Sequence, residues 1–195
     1  MIIASLAVLI ATVLIELFTK SRGVVLISYG FIIPLLILLP RIFCKFDAKI
    51  KKTVRAEWPR KIEYFTFFIV VFNAPGGLIL HDLAIQYDRF LHFTVAFLAL
   101  IIFSLLWLPV MKIKGKEIKK RSFLLYLFAV LFIGLFLWEA LQYNIDQLFG
   151  TKLFFDVKQE IKTDFLEDIF FGTCGLFAAI IYLNYSLKKF LLTLK

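Results

Sequence analysis

Three short segments carry acids and an imidazole at helical spacing. Asp88 and His92 stand four residues apart in Tyr87-Asp88-Arg89-Phe90-Leu91-His92-Phe93, so on a helix they share one face. Glu139 heads a second set, with Gln142 and Tyr143 three and four residues on. A third runs Asp164, Asp168, Gly172, Gly175 at steps of four, four and three. At about 100° per residue these four fall in one narrow stripe. The glycines permit close approach by a neighbouring helix, so the stripe is expected to face inward and carry its carboxylates with it. Carboxylates packed around one imidazole cannot all stay ionised without compensation. Arg89, a bound cation or shared protons are the three possible sources. Oxygen ligands with one imidazole suit Mg²⁺, Mn²⁺ or Zn²⁺, and the same groups can act as acid and base. Asp88, His92, Glu139, Asp164 and Asp168 are therefore the candidate catalytic and metal-ligating residues. Gln142, Tyr87, Asp146 and Asp156 are weaker candidates, and His81 with Asp82 reads equally well as a solvated loop pair.

The elements that must position this set are membrane helices. Of the 195 residues, 62% are hydrophobic and only 19% charged, with 24 Phe and a mean hydropathy of +0.90. A soluble chain of this size could not bury so much apolar surface. Soluble enzymes, disordered chains and disulfide scaffolds are excluded. The expected fold is an all-α polytopic bundle, a single integral membrane domain over 1–195. Six apolar stretches are long enough to span: 2–18, 23–43, 63–81, 90–111, 122–143 and 165–185. The first reads as a retained helix, because it lacks a basic n-region and a cleavage signal. Asn73-Ala74-Pro75-Gly76-Gly77 interrupts the third. It is either a kink or a broken helix whose restarted half aims N–H groups at an anion.

The net charge of +9 follows topology. Lys45–Lys61 holds seven Lys/Arg and Lys112–Arg121 six, with Lys188, Lys189 and Lys195 beyond the last span. Basic loops mark the cytoplasmic side, which puts both termini there. Nucleic acid is not needed to explain this charge; anionic lipid headgroups are the expected partners of the basic loops. Glu16, Asp82, Asp88, Glu139, Asp146, Asp156, Glu160, Asp164, Glu167 and Asp168 then fall toward the outer face, where orientation rules do not require them. The long outer connection Asn144–Asp164 includes an amphipathic piece at Leu153–Ile161 that could lie along the headgroups. Cys44 and Cys174 are not placed for a bridge, and no CxxC pair exists.

The order Asp-Arg-x-x-His-Phe, Trp-Glu-x-x-Gln, Asp-x-x-x-Asp-x-x-x-Gly-x-x-Gly resembles the VanZ-like membrane proteins. It is most similar to the uncharacterised bacterial inner-membrane family typified by YjdF. Asp88-Arg89…His92-Phe93, Trp138-Glu139…Gln142 and Asp164…Asp168…Gly172…Gly175 carry the resemblance. VanZ-like proteins usually have Asn where Asp168 stands, which favours the YjdF-like branch. The resemblance implies an inner-membrane location and a shared polar site, and no established activity.

Three functions fit the residues. One is a site facing the extracytoplasmic side that takes a divalent cation and a lipid or lipid-linked head group, catalytic or not. No HExxH, GxSxG, Walker or lipid-phosphatase pattern marks it as an enzyme. Another is a proton- or ion-coupled transporter, which with six spans and no repeat would work as a homo-oligomer. The last is a scaffold in which the polar set is interhelical glue.

Overall fold

The computed structural model describes residues 38–42, 44–75, 87–149 and 160–195. The expected span 2–18, most of 23–43, Gly76 and Gly77, His81, Asp82 and Asp156 lie outside these residues. All named elements among the described residues are helices: α1 (Ala48–Thr53), α2 (Glu57–Pro75), α3 (Tyr87–Ile113), α4 (Lys120–Phe149) and α5 (Ile161–Leu191). Residues 38–42 and 44–46 are also helical. Three helices are long and apolar enough to cross a membrane, Tyr87–Ile113, Lys120–Asn144 and Lys162–Leu191. They contain the expected spans 90–111, 122–143 and 165–185. At 1.5 Å per residue α3 is about 40 Å long, more than the hydrocarbon core of a bilayer.

The helices overrun their hydropathy windows. The connection expected over Asn144–Asp164 loses both ends, because α4 continues to Phe149 and α5 begins at Ile161. Apolar length tracks membrane thickness, whereas a helix stops only where its backbone is capped or broken. Likewise Asn73, Ala74 and Pro75, the first residues of the expected break, still belong to α2. The end of α3 shows such a stop. Gly115 takes φ +62°, and Gly115 N donates to Lys112 O and Lys116 N to Met111 O, both at 3.0 Å. This closes the last turn as a Schellman motif.

The chain divides into two compact units. One comprises the described residues up to Ala74, with Leu105–Glu117 and Leu187–Lys195. Here Asp47 caps α1, accepting from Lys49 N at 2.8 Å and Ile50 N at 3.0 Å. The chain then turns extended. Val54 forms an antiparallel bridge with Leu194, flanked by Arg55 N to Thr193 O and Lys195 N to Thr53 O, both 2.7 Å. The end of the chain is thus clipped to the α1–α2 link. Trp58, Ile62, Leu105, Leu108 and Leu187 are buried in this unit. Pro109 sits inside α3 and has no N–H to offer the carbonyl four residues earlier. That carbonyl belongs to Leu105, and the buried Trp58 indole donates to it at 2.8 Å.

The other unit comprises the described residues within Pro75–Ser104 and Ile118–Ser186. Contacts between α4 and α5 run antiparallel: Tyr143 against Phe165, Phe128 against Phe177, Lys120 Nζ to Asn184 O. Those between α3 and α5 run parallel, Phe93 beside Gly175 and Phe97 beside Tyr182. Leu100, Ile101, Leu127, Leu176 and Leu183 are buried between them. Leu137, Leu141, Phe170 and Ile181 point outward, the apolar exterior expected of helices solvated by lipid.

Candidate metal centre

The site is built where the first two turns of α3 and α5 meet the second half of α4. Asp88 and Asp164 each open a helix, in its first turn. His92 and Asp168 follow one turn further in, and Glu139 faces them from α4. The close approach that brings α3 to α5 depends on Gly175. A Cβ there would lie 2.2 Å from the backbone oxygen of Phe93, so any larger residue would push the helices apart. At Gly172 the obstacle is softer, the Leu135 side chain at 2.6 Å.

His92 is the centre. Its Nε2 lies 3.5 Å from Asp88 Oδ1 and 3.3 Å from Asp168 Oδ1. Its Nδ1 lies 3.5 Å from Glu139 Oε1. Glu139, Asp164 and Asp168 are buried, Glu139 only 3% exposed. Asp164 is near enough to act electrostatically on His92, Glu139 and Asp168. Asp88, Glu139 and Asp168 thus meet around the His92 imidazole, with Asp164 close by. Ligand atoms of Asp88, His92 and Asp168 lie within 4.8 Å of one another, close enough to hold one metal ion. Glu139 Oε1, Asp168 Oδ1, Gln142 Oε1 and Thr173 Oγ1 are buried and accept no hydrogen bond. Buried acceptors are rarely left so, and shared protons or a bound cation would each satisfy them. The donor set fits a divalent cation.

Arg89, one of the three possible sources of compensation, forks onto Glu167. Its Nε and Nη2 donate to Oε2 and Oε1, each at 2.8 Å, and its Cζ lies 5.6 Å over the Phe171 ring. Glu167 was visible in the sequence as an outer acid but not as a partner. The signal was its place next to Asp168, matching that of Arg89 next to Asp88. Adjacent residues on a helix point about 100° apart, so this second pair meets beside the first. Of the weaker candidates, Tyr87 packs its ring against Phe90 at 5.8 Å and Gln142 has the buried Oε1 without a hydrogen bond noted above. Asp146 belongs to α4, but its side chain lies outside the described set.

Away from this cluster lies a further buried acid that the sequence does not single out. Glu63, fully buried, accepts from Arg41 Nε and Nη2 at 2.7 Å each. Cys44 and Cys174 are not bridged. No curated protein and no solved structure matches the chain. Residues 1–189 match the family described as "Predicted membrane protein (DUF2238)", and the chain, with its apolar helices and its buried acid–imidazole cluster, belongs to that family of membrane proteins.

Proposed function

We propose that this membrane protein binds a divalent cation through Asp88, His92 and Asp168, with Glu139 and Asp164 contributing charge, and that the cation holds the phosphate of a lipid or lipid-linked head group. The observation that carries the reading is the gathering of three ligand atoms within 4.8 Å beside buried carboxylate oxygens that accept no hydrogen bond. An ionisable group within a spanning helix is costly and is kept for a function or a partner. A cation bound by three side chains keeps coordination positions for phosphate oxygens.

In this reading the chain crosses the bilayer six times with both termini cytoplasmic, as the basic loops favour. The ends of the helices that carry Asp88 and Asp164 then face the extracytoplasmic side, at headgroup level. The shared order of acid, imidazole and glycine motifs supports kinship with the VanZ-like proteins and their YjdF-type branch. The basic loops on the opposite side suit anionic lipid headgroups.

Native mass spectrometry of protein released from lipid nanodiscs tests this. One divalent ion per chain with a phosphate-bearing lipid is expected for the wild type. Neither should remain on His92→Ala or Asp168→Asn. A wild-type chain that carries no ion when supplied with Mg²⁺, Mn²⁺ or Zn²⁺ refutes the reading. Loss of the ion on adding a proton gradient, with substrate flux, would favour the coupled carrier instead.

A further inference from the structure

Given the cation reading above, we propose that the ion belongs to the zinc class, bound at Nε2 of His92 with Asp88 and Asp168, and that Glu139 is a positioning residue that holds the imidazole by its Nδ1–H. The two ring nitrogens meet different surroundings. Nε2 faces two carboxylate oxygens, at 3.5 and 3.3 Å. Nδ1 faces one, at 3.5 Å. A neutral imidazole carries one N–H and one lone pair. A metal takes imidazole only as the neutral ring, and Asp168 Oδ1 accepts no hydrogen bond from Nε2. A lone pair on Nε2 makes the three atoms a converging set of donors to a metal. The proton then sits on Nδ1, aimed at Glu139 Oε1, itself buried and accepting no hydrogen bond. A histidine that binds metal through one nitrogen usually donates the other N–H to a carboxylate, which fixes the tautomer and ring orientation.

The spacing fits zinc, and the donor types favour it. Ligands about 2.1 Å from a tetrahedral centre are about 3.4 Å apart, and the two Nε2 separations of 3.5 and 3.3 Å bracket that value. Magnesium and calcium favour all-oxygen shells, whereas an imidazole with carboxylates suits zinc. Three protein ligands leave the fourth corner to water or a phosphate oxygen. Glu139 approaches from α4 on the Nδ1 side of the ring, so it lies outside the ligand set.

Competition between the nanodisc-held protein and a zinc-chelating fluorophore tests the assignment. The wild type is expected to take one Zn²⁺, undisturbed by a hundredfold excess of Mg²⁺. Asp168→Asn should lose it. Glu139→Gln should keep one ion, bound about 10–100-fold more weakly. Glu139→Gln losing the ion as Asp168→Asn does would make Glu139 a ligand and overturn the assignment. So would an unchanged affinity, or displacement of zinc by Mg²⁺. Binding of neither ion by the wild type would overturn the cation reading itself. Pulsed EPR of the copper-loaded wild type needs no variant: it should show the remote nitrogen of one bound imidazole, and its absence refutes the role of His92.

Discussion

Glu63 and the His92 cluster both bury carboxylates in apolar surroundings, and they are balanced in opposite ways. Glu63 is 0% exposed and meets a two-pronged arginine whose own side chain is 49% exposed. Each carboxylate oxygen of Glu63 has its own donor, and the guanidinium keeps contact with its surroundings at the other end. This is a finished pair. Around His92, buried Glu139, Asp164 and Asp168 share one imidazole, and two of their oxygens accept no hydrogen bond. The nearby arginine, Arg89, is engaged in a fork of its own with Glu167. The contrast is the one expected between a structural pair and the proposed binding site. A pair made for stability supplies a charge-assisted donor for each oxygen, while a binding site leaves lone pairs converging on a common point.

Breaking the finished pair should have the largest effect. Arg41→Ala leaves the Glu63 carboxylate buried and unpaired, and should lower unfolding stability in detergent by about 3–5 kcal/mol. It should leave zinc affinity unchanged. The next largest effect tests what brings the cluster together. Gly175→Ala drives a Cβ into the backbone oxygen of Phe93 and should cost about 1–3 kcal/mol, with weaker zinc binding in the same samples. Gly172→Ala should cost less, because the Leu135 side chain can turn away, and Gly134→Ala should be neutral, since nothing lies within 4 Å of its Cβ. Trp58→Phe should cost about 1–2 kcal/mol by leaving the Leu105 carbonyl buried without a donor. Adding Pro109→Ala restores the helix's own N–H to that carbonyl, so a double-mutant cycle measured by detergent unfolding should show strong coupling.

The three described spans could be read from the sequence because apolar length is a local property. So could the faces carrying Asp88 with His92 and Asp164 with Asp168, because helical period alone aligns them. The partners across helices were not legible. Arg89 and Glu167 are 78 positions apart and Arg41 and Glu63 are 22 apart. Their meeting depends on how each helix is rotated about its axis, which hydropathy does not encode. Glu63 in particular only opens the expected span 63–81. The role of Trp58 was hidden for a related reason. Pro109 announces that a carbonyl lacks its donor, but it does not say which residue 47 positions from Leu105 will supply one.

The comparison rests on whether the His92 cluster is a site for an ion or another completed network. Thermal unfolding of the wild type and Asp168→Asn, each in chelator and in zinc, decides it. With chelator present, Asp168→Asn should be as stable as the wild type or more so, because the amide removes one of several crowded charges. Zinc at about a hundred times its dissociation constant should then raise wild-type stability by about 2.7 kcal/mol and leave the variant where it was. If Asp168→Asn is the less stable protein in chelator and zinc moves neither, the carboxylates are glue and the account is contradicted.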